Sequence, residues 1–561
     1  MRLVGLFAGR IARLARRAAT APLRLFAGMT FHPAERLLIA PQDIRTGDPT
    51  TANDIYAGYF AFGGKIVNAH GRSPFEIEPG SPAWARALAG FGWLRHLRAA
   101  DTARARDHAR ALVDDFLTHM GKPTPDPAWE PRVVARRTLA WLSQSPLILD
   151  GADRAFYRRF MKGLGRSQIA LEHEVKAGLS GEPRLLAAIT LAELGLCAQA
   201  ATKLQKKATR LLAEELDRQI LPDGGHVSRN PQVLIDLLLD LLPLRQAYAA
   251  RNIAAPPQLL NAIDRIMPML RLFRHGDGAL ALFNGMGVTA PEMLATVLAY
   301  DDARVQAITN APYSGYQRLE MQGSLLIVDA GPPPPQDFSE QAHAGCLAFE
   351  FSSEAQHLVI NCGAPDIHRE AARQAARMTA AHSTVVVDDT SSCRFAFHSS
   401  LGRWLGHRIL SGPDRVTVER STVSSAARLR LSHNGYQPRF GLIHERDLTL
   451  SNDGRTLEGQ DRLRPSSPSK PLENYPYCLR FHIHPSVRLK PSSEPRGILF
   501  ELPNRTQWVF EAPGRDIRIA ESVFFASPDG PRRCEQIVIS SETGQSPEIN
   551  WTLRRLDKTT P

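Results

Sequence analysis

The stretch that decides the reading of this chain is Gln341-Ala342-His343-Ala344-Gly345-Cys346-Leu347-Ala348-Phe349-Glu350-Phe351. It passes from small and polar residues into an apolar strand pattern. Two segments of the same kind follow, Leu358-Val359-Ile360-Asn361-Cys362-Gly363 and Ala381-His382-Ser383-Thr384-Val385-Val386-Val387-Asp388-Asp389. Each sets a histidine or an amide at the edge of an apolar run, so neighbouring strands can present His343, Asn361 and His382 together. Two imidazoles and an oxygen ligand form a candidate divalent-metal set, although a neutral amide binds more weakly than a carboxylate. Two histidines hydrogen-bonded within a β core satisfy the same spacing.

Outward from this stretch the chain divides by texture. After Ala311, segments such as Ser324–Asp329, Leu442–Leu450, Thr456–Arg462, Gln536–Ser540 and Ile549–Leu553 are short and β-branched or alternating. Gly, Pro, Ser and Asn punctuate them, and the pattern predicts an antiparallel β-sandwich. Before Asn310 the apolar spacing is helical, over Ala83–Ala99, Ala103–His119, Arg132–Ser143, Ala152–His173, Pro183–Ala200, Thr202–Ile220, Pro231–Ala250, Pro257–Phe273 and Pro291–Tyr300. Short links such as Leu221–Asn230 imply antiparallel helical neighbours, and no fixed-period repeat supports a solenoid. The expected class is α+β and multidomain: a basic segment over 1–52, a helical domain over 53–310 and a β domain over 311–561.

Composition narrows the function classes. The 561 residues are 43% hydrophobic and 22% charged, which excludes collagen-like, coiled-coil and wholly disordered chains. No apolar run is long enough to cross a bilayer. With 68 Lys+Arg against 57 Asp+Glu, the net charge of +11 suits an anionic partner: a polyanionic glycan, nucleic acid or an acidic membrane face. No helix-turn-helix, zinc-finger or stacking-aromatic signature supports specific nucleic-acid binding. Cys197, Cys346, Cys362, Cys393, Cys478 and Cys534 stand singly, so neither a zinc ribbon nor a disulfide scaffold is expected. At the amino terminus Arg2, Arg10, Arg13, Arg16, Arg17 and Arg24 precede any acid, and Phe7, Ile11, Leu14 and Ala18 share a helical stripe. The segment reads either as an interfacial helix on anionic lipid or as a solvated helix packed on the protein. Arginine interrupts the apolar core that a secretory signal requires.

The three quoted elements, in that order and behind a helical domain, resemble the heparinase II/III family of polysaccharide lyases. Asp223-Gly224-Gly225-His226-Val227-Ser228-Arg229-Asn230-Pro231 resembles that family's loop between toroid helices. The resemblance covers most of the chain from Asn53 onward and is most specific over Gln341–Asp389. It implies an incomplete (α/α) toroid followed by an antiparallel β-sandwich, a glycan cleft between them, β-elimination of uronic-acid polysaccharides and association with the cell envelope. It also implies zinc at the positions of His343, Asn361 and His382, with Asn361 replacing the usual Asp. Gln341 stands where the catalytic His would be, Gly345 replaces the Asp of the same motif, and Val233 falls near the position of the catalytic Tyr. No match to the family's Asn-His pair occurs near Glu182-Pro183.

β-Elimination needs a base for the proton α to the uronate carboxylate, an acid for the leaving oxygen and a neutraliser for the carboxylate. The candidates are Gln341, His226 and Arg229 for chemistry, with Arg229 also able to grip a carboxylate bidentately. His226 and Arg229 as braces of helix ends is the competing reading. Tyr313 and Tyr316 are candidate acids or sugar-stacking rings, against a core role for both. His398, His407, His433 and His444 lack ligand spacing, and His433 is expected to be replaceable without loss of metal or stability. The leading expectation is a lyase on an acidic polysaccharide. The alternative is a non-catalytic glycan-binding or envelope polysaccharide-assembly protein that has lost the usual catalytic residues.

Overall fold

The computed structural model describes residues 9, 11–19, 34–124, 126–301, 305–366, 369–396, 406–423, 425–467, 469, 471–493 and 496–556. Two compact units divide the chain. The first comprises Met1–Ile220, Asp236–Asp264 and Glu292–Asp302; the second comprises Leu221–Ile235, Arg265–Pro291 and Ala303–Pro561.

The first unit is helical. Proline opens the helices Pro49–Tyr56, Pro82–Gly90 and Pro131–Ser143, where its missing N–H has no helical partner to lose. Helix Glu182–Cys197 is buried on every side from Leu185 to Cys197, as a central helix must be. The helix expected over Ala83–Ala99 is two helices, Pro82–Gly90 and Leu94–Ala100. Phe91 breaks it in the left-handed region (φ 56°), with its ring buried against Phe75, Phe116 and Trp141. Aromatic burial there outweighs helical continuity. A hairpin, Tyr59–Phe62 with Lys65–Asn68, lies in this unit and was not expected; Gly63 and Gly64, both at positive φ, make its turn. Among the described residues no strand lies between 83 and 300, and no helix is long and apolar enough to cross a membrane.

Of the basic amino-terminal segment, residues 11–19 are helical. Arg17 pairs with Glu174 at 2.9 Å and Arg13 lies 3.6 Å from it, while Ile11 and Leu14 are exposed. Arg2, Phe7, Arg10 and Arg24 fall outside the described residues.

Among its described residues the second unit carries two large antiparallel sheets and a two-stranded one, Arg394–Phe395 with Ile409–Ser411. The first runs Arg518–Phe524, Arg532–Glu542, Pro476–Ile483, Gln356–Ile360, Phe349–Ser353, Ser324–Asp329, Tyr316–Met321, Asn310–Ala311, with Val385–Val387 also paired to Pro476–Ile483. The other runs Val416–Val423, Ala426–His433, Leu442–Leu450, Thr456–Pro465, Glu548–Arg555, Gln507–Glu511, Arg496–Glu501, Arg488–Ser493. One core joins them: Phe349, Phe351, Leu358 and Phe481 from the first sheet meet Leu448, Leu457, Trp508 and Trp551 from the second. Phe349 stacks on Trp551 with centroids 5.6 Å apart and planes 5° apart. Alternating burial along Ala426–His433 and Thr456–Pro465 is the period-two signature of sheets with one face inside.

The buried position of His433 argues against the expectation that it can be replaced without loss of stability. His433 is buried, and its Nε2 lies 3.3 Å from His444 Nδ1. His444 Nε2 lies 2.8 Å from Asp461, which also accepts from Arg446 and the Trp551 indole. Asp461 is opposed by burial, yet Arg446 and His444 hold its carboxyl well below the usual range. His407 is half-buried, 3.3 Å from Glu370; His398 lies outside the described residues.

Candidate functional site

The site is built within the second unit, starting from the Asp223 loop. Asp223 Oδ2 accepts from the Tyr313 and Ser314 amides (2.8 and 2.7 Å), and Oδ1 accepts from the Gly225 amide (3.1 Å). Both glycines are required here. Gly224 has φ +85° and a Cβ on it would sit 1.9 Å from the Arg265 carbonyl oxygen, while one on Gly225 would sit 2.4 Å from Ser314 Cβ. The Asp-Gly-Gly motif is therefore a latch onto the start of the β region.

Arg229 follows in the same loop and is 7% exposed. Its Nε donates to Ser314 O, Nη1 to Gly331 O and Pro332 O, and Nη2 to Gly315 O and Asp329 Oδ1. All five N–H donors are engaged, so none remains to grip a substrate carboxylate. The expected clamp is corrected to a brace. Tyr316 is corrected with it: the fully buried hydroxyl donates to Arg229 O and accepts from Asn284 Nδ2 at 2.8 Å. Burial pushes that hydroxyl far above the usual phenol range, against the pull of Arg229. Tyr313 is 66% exposed. His226 is buried, with Nδ1 2.7 Å from Ser228 Oγ and its ring edge-on to Phe338.

Gln341 and His343 lie two residues apart and line one cavity of about 100 Å³ with Gly285, Arg373 and Arg377. Asn230 Nδ2 donates to Gln341 Oε1 at 3.2 Å. His343 Nδ1 lies 3.0 Å from His382 Nε2, and His382 Nδ1 lies 2.9 Å from the Met378 carbonyl. The carbonyl can only accept, so His382 carries its proton on Nδ1 and His343 donates from Nδ1 to it. His343 Nε2 is then left with a lone pair, and His343 is one of the residues lining the cavity. Burial first, then His382 and Arg377, holds the His343 imidazole well below its usual range; burial brings His382 down to about 4. Both are neutral near pH 7.

Zinc on His343, Asn361 and His382 does not fit these residues. The set offers no anionic ligand, since Asn361 is a neutral amide. Asn361 Oδ1 accepts from the Ser383 amide at 3.0 Å and Nδ2 donates to Glu350 Oε1 at 3.1 Å. Among the described residues no carboxylate, thiol or further imidazole completes the pair as a three-ligand group. Arg373 and Arg377 add positive charge on the His343 side.

Sequence reasoning missed those two arginines. They lie on and just past helix Glu370–Ala376, inside a region read as strand punctuation. Their i,i+4 spacing was the available signal. Burial pushes Arg377 down to about 9, and its Nε and Nη2 donate to Ala342 O and Ser339 O. Arg373 is half-buried and pairs with Glu370 at 3.0 Å.

The helical unit has its own cavity, of about 530 Å³, lined by Arg86, Trp93, Arg95, His96, Arg136 and Glu193 among others. Burial, reinforced by Asp240, pushes the Glu193 carboxyl up to about 8, so it is protonated at neutral pH. Asp240 is clamped by Arg45 and Arg136, each at 2.7 Å.

Residues 303–552 match the family described as Heparinase II/III-like, C-terminal. A curated relative, FtsZ-localized protein C of Caulobacter vibrioides, is 32% identical over 542 residues, covering 93% of this chain and 90% of its own. A mutant of heparan sulfate lyase HepC from Pedobacter heparinus shares the fold with a TM-score of 0.65 at 13% identity, over 98% of this chain and 90% of its own. Heparinase III matches with a TM-score of 0.63 at 13% identity, over 100% and 92% of the two chains. Helical toroid, antiparallel sandwich and the Gln341–Asp389 elements thus coincide in one chain with full-length likeness to these proteins, and the chain belongs to the heparinase II/III family.

Proposed function

We propose that this chain acts on an acidic, uronate-containing glycan by β-elimination, with the catalytic base moved from position 341 to His343. The observation that carries this reading is the His343 imidazole. Its Nδ1 is held by His382, and His343 lines the cavity together with Arg373 and Arg377. A neutral imidazole of fixed tautomer suits proton abstraction, and the half-buried Arg373 guanidinium suits the carboxylate whose α-proton is removed, while Arg377, with Nε, Nη1 and Nη2 bonded to protein oxygens, adds charge alone. Gln341 and His343 line the same cavity, so a two-residue shift keeps a base facing the same space. Gln341, an amide, is suited to hydrogen-bonding sugar hydroxyls.

A second reading, glycan binding without cleavage, is favoured by the absence of any tyrosine or carboxyl acid among the described residues lining the His343 cavity. One experiment separates them: ultraviolet absorbance of unsaturated uronate products from a panel of acidic polysaccharides, bacterial envelope fractions included. The lyase reading expects product from the wild type and a loss of about 100-fold or more in His343→Gln, about 100-fold being the lower end of the general-base range. Saturable binding with no product selects the binding reading. Equal activity in His343→Gln removes His343 as the base.

A further inference from the structure

We propose that this chain holds a first-row divalent cation, of the zinc class, at His275, Glu350 and His357 rather than at the His343–His382 pair. One nitrogen from each histidine and one Glu350 oxygen lie within 4.8 Å of one another, and all three residues are buried. Two imidazoles and one carboxylate are a common ligand set for zinc and its neighbours.

The backbone prepares this cluster. Glu350 and Ser352 sit two apart on strand Phe349–Ser353 and so share a face; His357 lies directly opposite Ser352 on Gln356–Ile360. The pairing shifts register between Phe351 and Ser352, the kind of irregularity that re-aims side chains. His275 arrives from the Arg265–Pro291 segment, where Gly276 lets the chain approach the sheet: a Cβ there would lie 2.0 Å from the Glu354 carbonyl oxygen.

The surroundings match the outer layer of a metal site. Each histidine has one nitrogen tied to an oxygen: His275 Nδ1 to Ser352 Oγ at 2.8 Å, and His357 Nε2 to Asp277 Oδ2 at 3.1 Å. Such outer contacts orient imidazole ligands and leave the opposite nitrogen for the ion. The opposite nitrogens are His275 Nε2, 3.2 Å from Glu350 Oε2, and His357 Nδ1, which is buried without a hydrogen-bond partner. His357 is only 8% exposed, so this orphaned nitrogen is an uncompensated cost that a cation removes. Ser352, able to donate or accept, accommodates either tautomer of His275.

Glu350 is equally prepared. Its Oε1 accepts from the Leu282 amide, the Asn361 amide and Asn361 Nδ2 (3.0, 3.1 and 3.1 Å), leaving Oε2 towards the histidines. Asn361, at the position where the family resemblance implied an Asp ligand, thus supports a carboxylate elsewhere. With Glu350 bound and Asp277 behind His357, two negative charges balance a dication.

The test uses the full-length protein, stripped with a chelator and titrated with Zn²⁺, with metal content, thermal midpoint and the visible spectrum of a Co²⁺ substitute as readouts. The expected result is one ion per chain, a raised midpoint with zinc and tetrahedral Co²⁺ bands. Glu350→Gln and His357→Gln should lose all three, and Asp277→Asn should weaken binding by about 10- to 100-fold. His382→Gln should keep the ion. No stoichiometric binding by the wild type at micromolar free zinc overturns the proposal, as does loss in His382→Gln with retention in His357→Gln. Should the Glu350 variant fail to fold, the exposed-side Asp277→Asn variant and the wild-type Co²⁺ spectrum still decide: unchanged affinity in the first or absent bands in the second overturn it.

Discussion

Arg229 shows how one residue changes meaning when its partners are known. In the sequence it is a cation in a family loop; in the fold it is a buried node with five hydrogen bonds, four of them to backbone carbonyls. Its charge is balanced by Asp329, which is itself buried and also held by Asn284. Removing one partner of a buried pair leaves the other unpaired. Arg229→Met should therefore cost about 3–5 kcal/mol in urea unfolding, whereas Tyr313→Ala at the exposed neighbour should stay within about 0.5 kcal/mol. Comparable losses in the two variants would show that Arg229 is not the brace described.

At the scale of elements, the sandwich depends on where it tolerates no side chain. Gly459 sits in strand Thr456–Pro465 opposite Trp551, and a Cβ on it would lie 2.0 Å from the indole. Trp551 fills the space between the sheets and donates to buried Asp461 at 3.0 Å, so it cannot swing away cheaply. Gly459→Ala should destabilise by about 1–3 kcal/mol despite alanine's lower backbone entropy, and Gly459→Val by more despite valine's strand preference. Thermal unfolding checks this; a midpoint unchanged by Gly459→Ala would mean the indole has room to move. The Phe91 break in the first unit follows the same logic, since the ring it buries decides the backbone around it.

For the molecule as a whole, buried neutral histidines set the response to acid. Burial brings His382 down to about 4 and His482 to about 3, against about 6.5 in an unfolded chain. Below about pH 6.5 the unfolded chain takes up protons that the native fold refuses, so stability falls as pH falls. The window runs from about 6.5 to about 4 for His382 and to about 3 for His482, with each histidine contributing about 1.4 kcal/mol per pH unit within its own window. Asp461, with its carboxyl held low, adds its loss only at lower pH. Urea midpoints measured from pH 7 to pH 4 should drop through this window and drop less steeply in His382→Gln. A flat profile between pH 6.5 and 5 would contradict the assigned protonation states.

What the sequence by itself determined is what periodicity and local chemistry carry. Nine helical stretches, the strand texture after Ala311 and the Gln341–Asp389 elements were legible because burial repeats at 3.6 or 2 residues and a motif lies within a few dozen positions. His343 and His382 do meet, but from loops outside the strands, and Val385–Val387 pairs with Pro476–Ile483 rather than with Phe349–Ser353 as neighbouring strands would require. Periodicity reports which face is buried and not what lies across from it, and there the tertiary structure decided. Asn361 turned to Glu350, Arg229 and Tyr316 closed on each other, Arg373 and Arg377 reached the cavity from an unforeseen helix, and His275 met His357 across 80-odd residues of chain. Each outcome depends on a partner distant in sequence, selected by the requirement that every buried polar group find one.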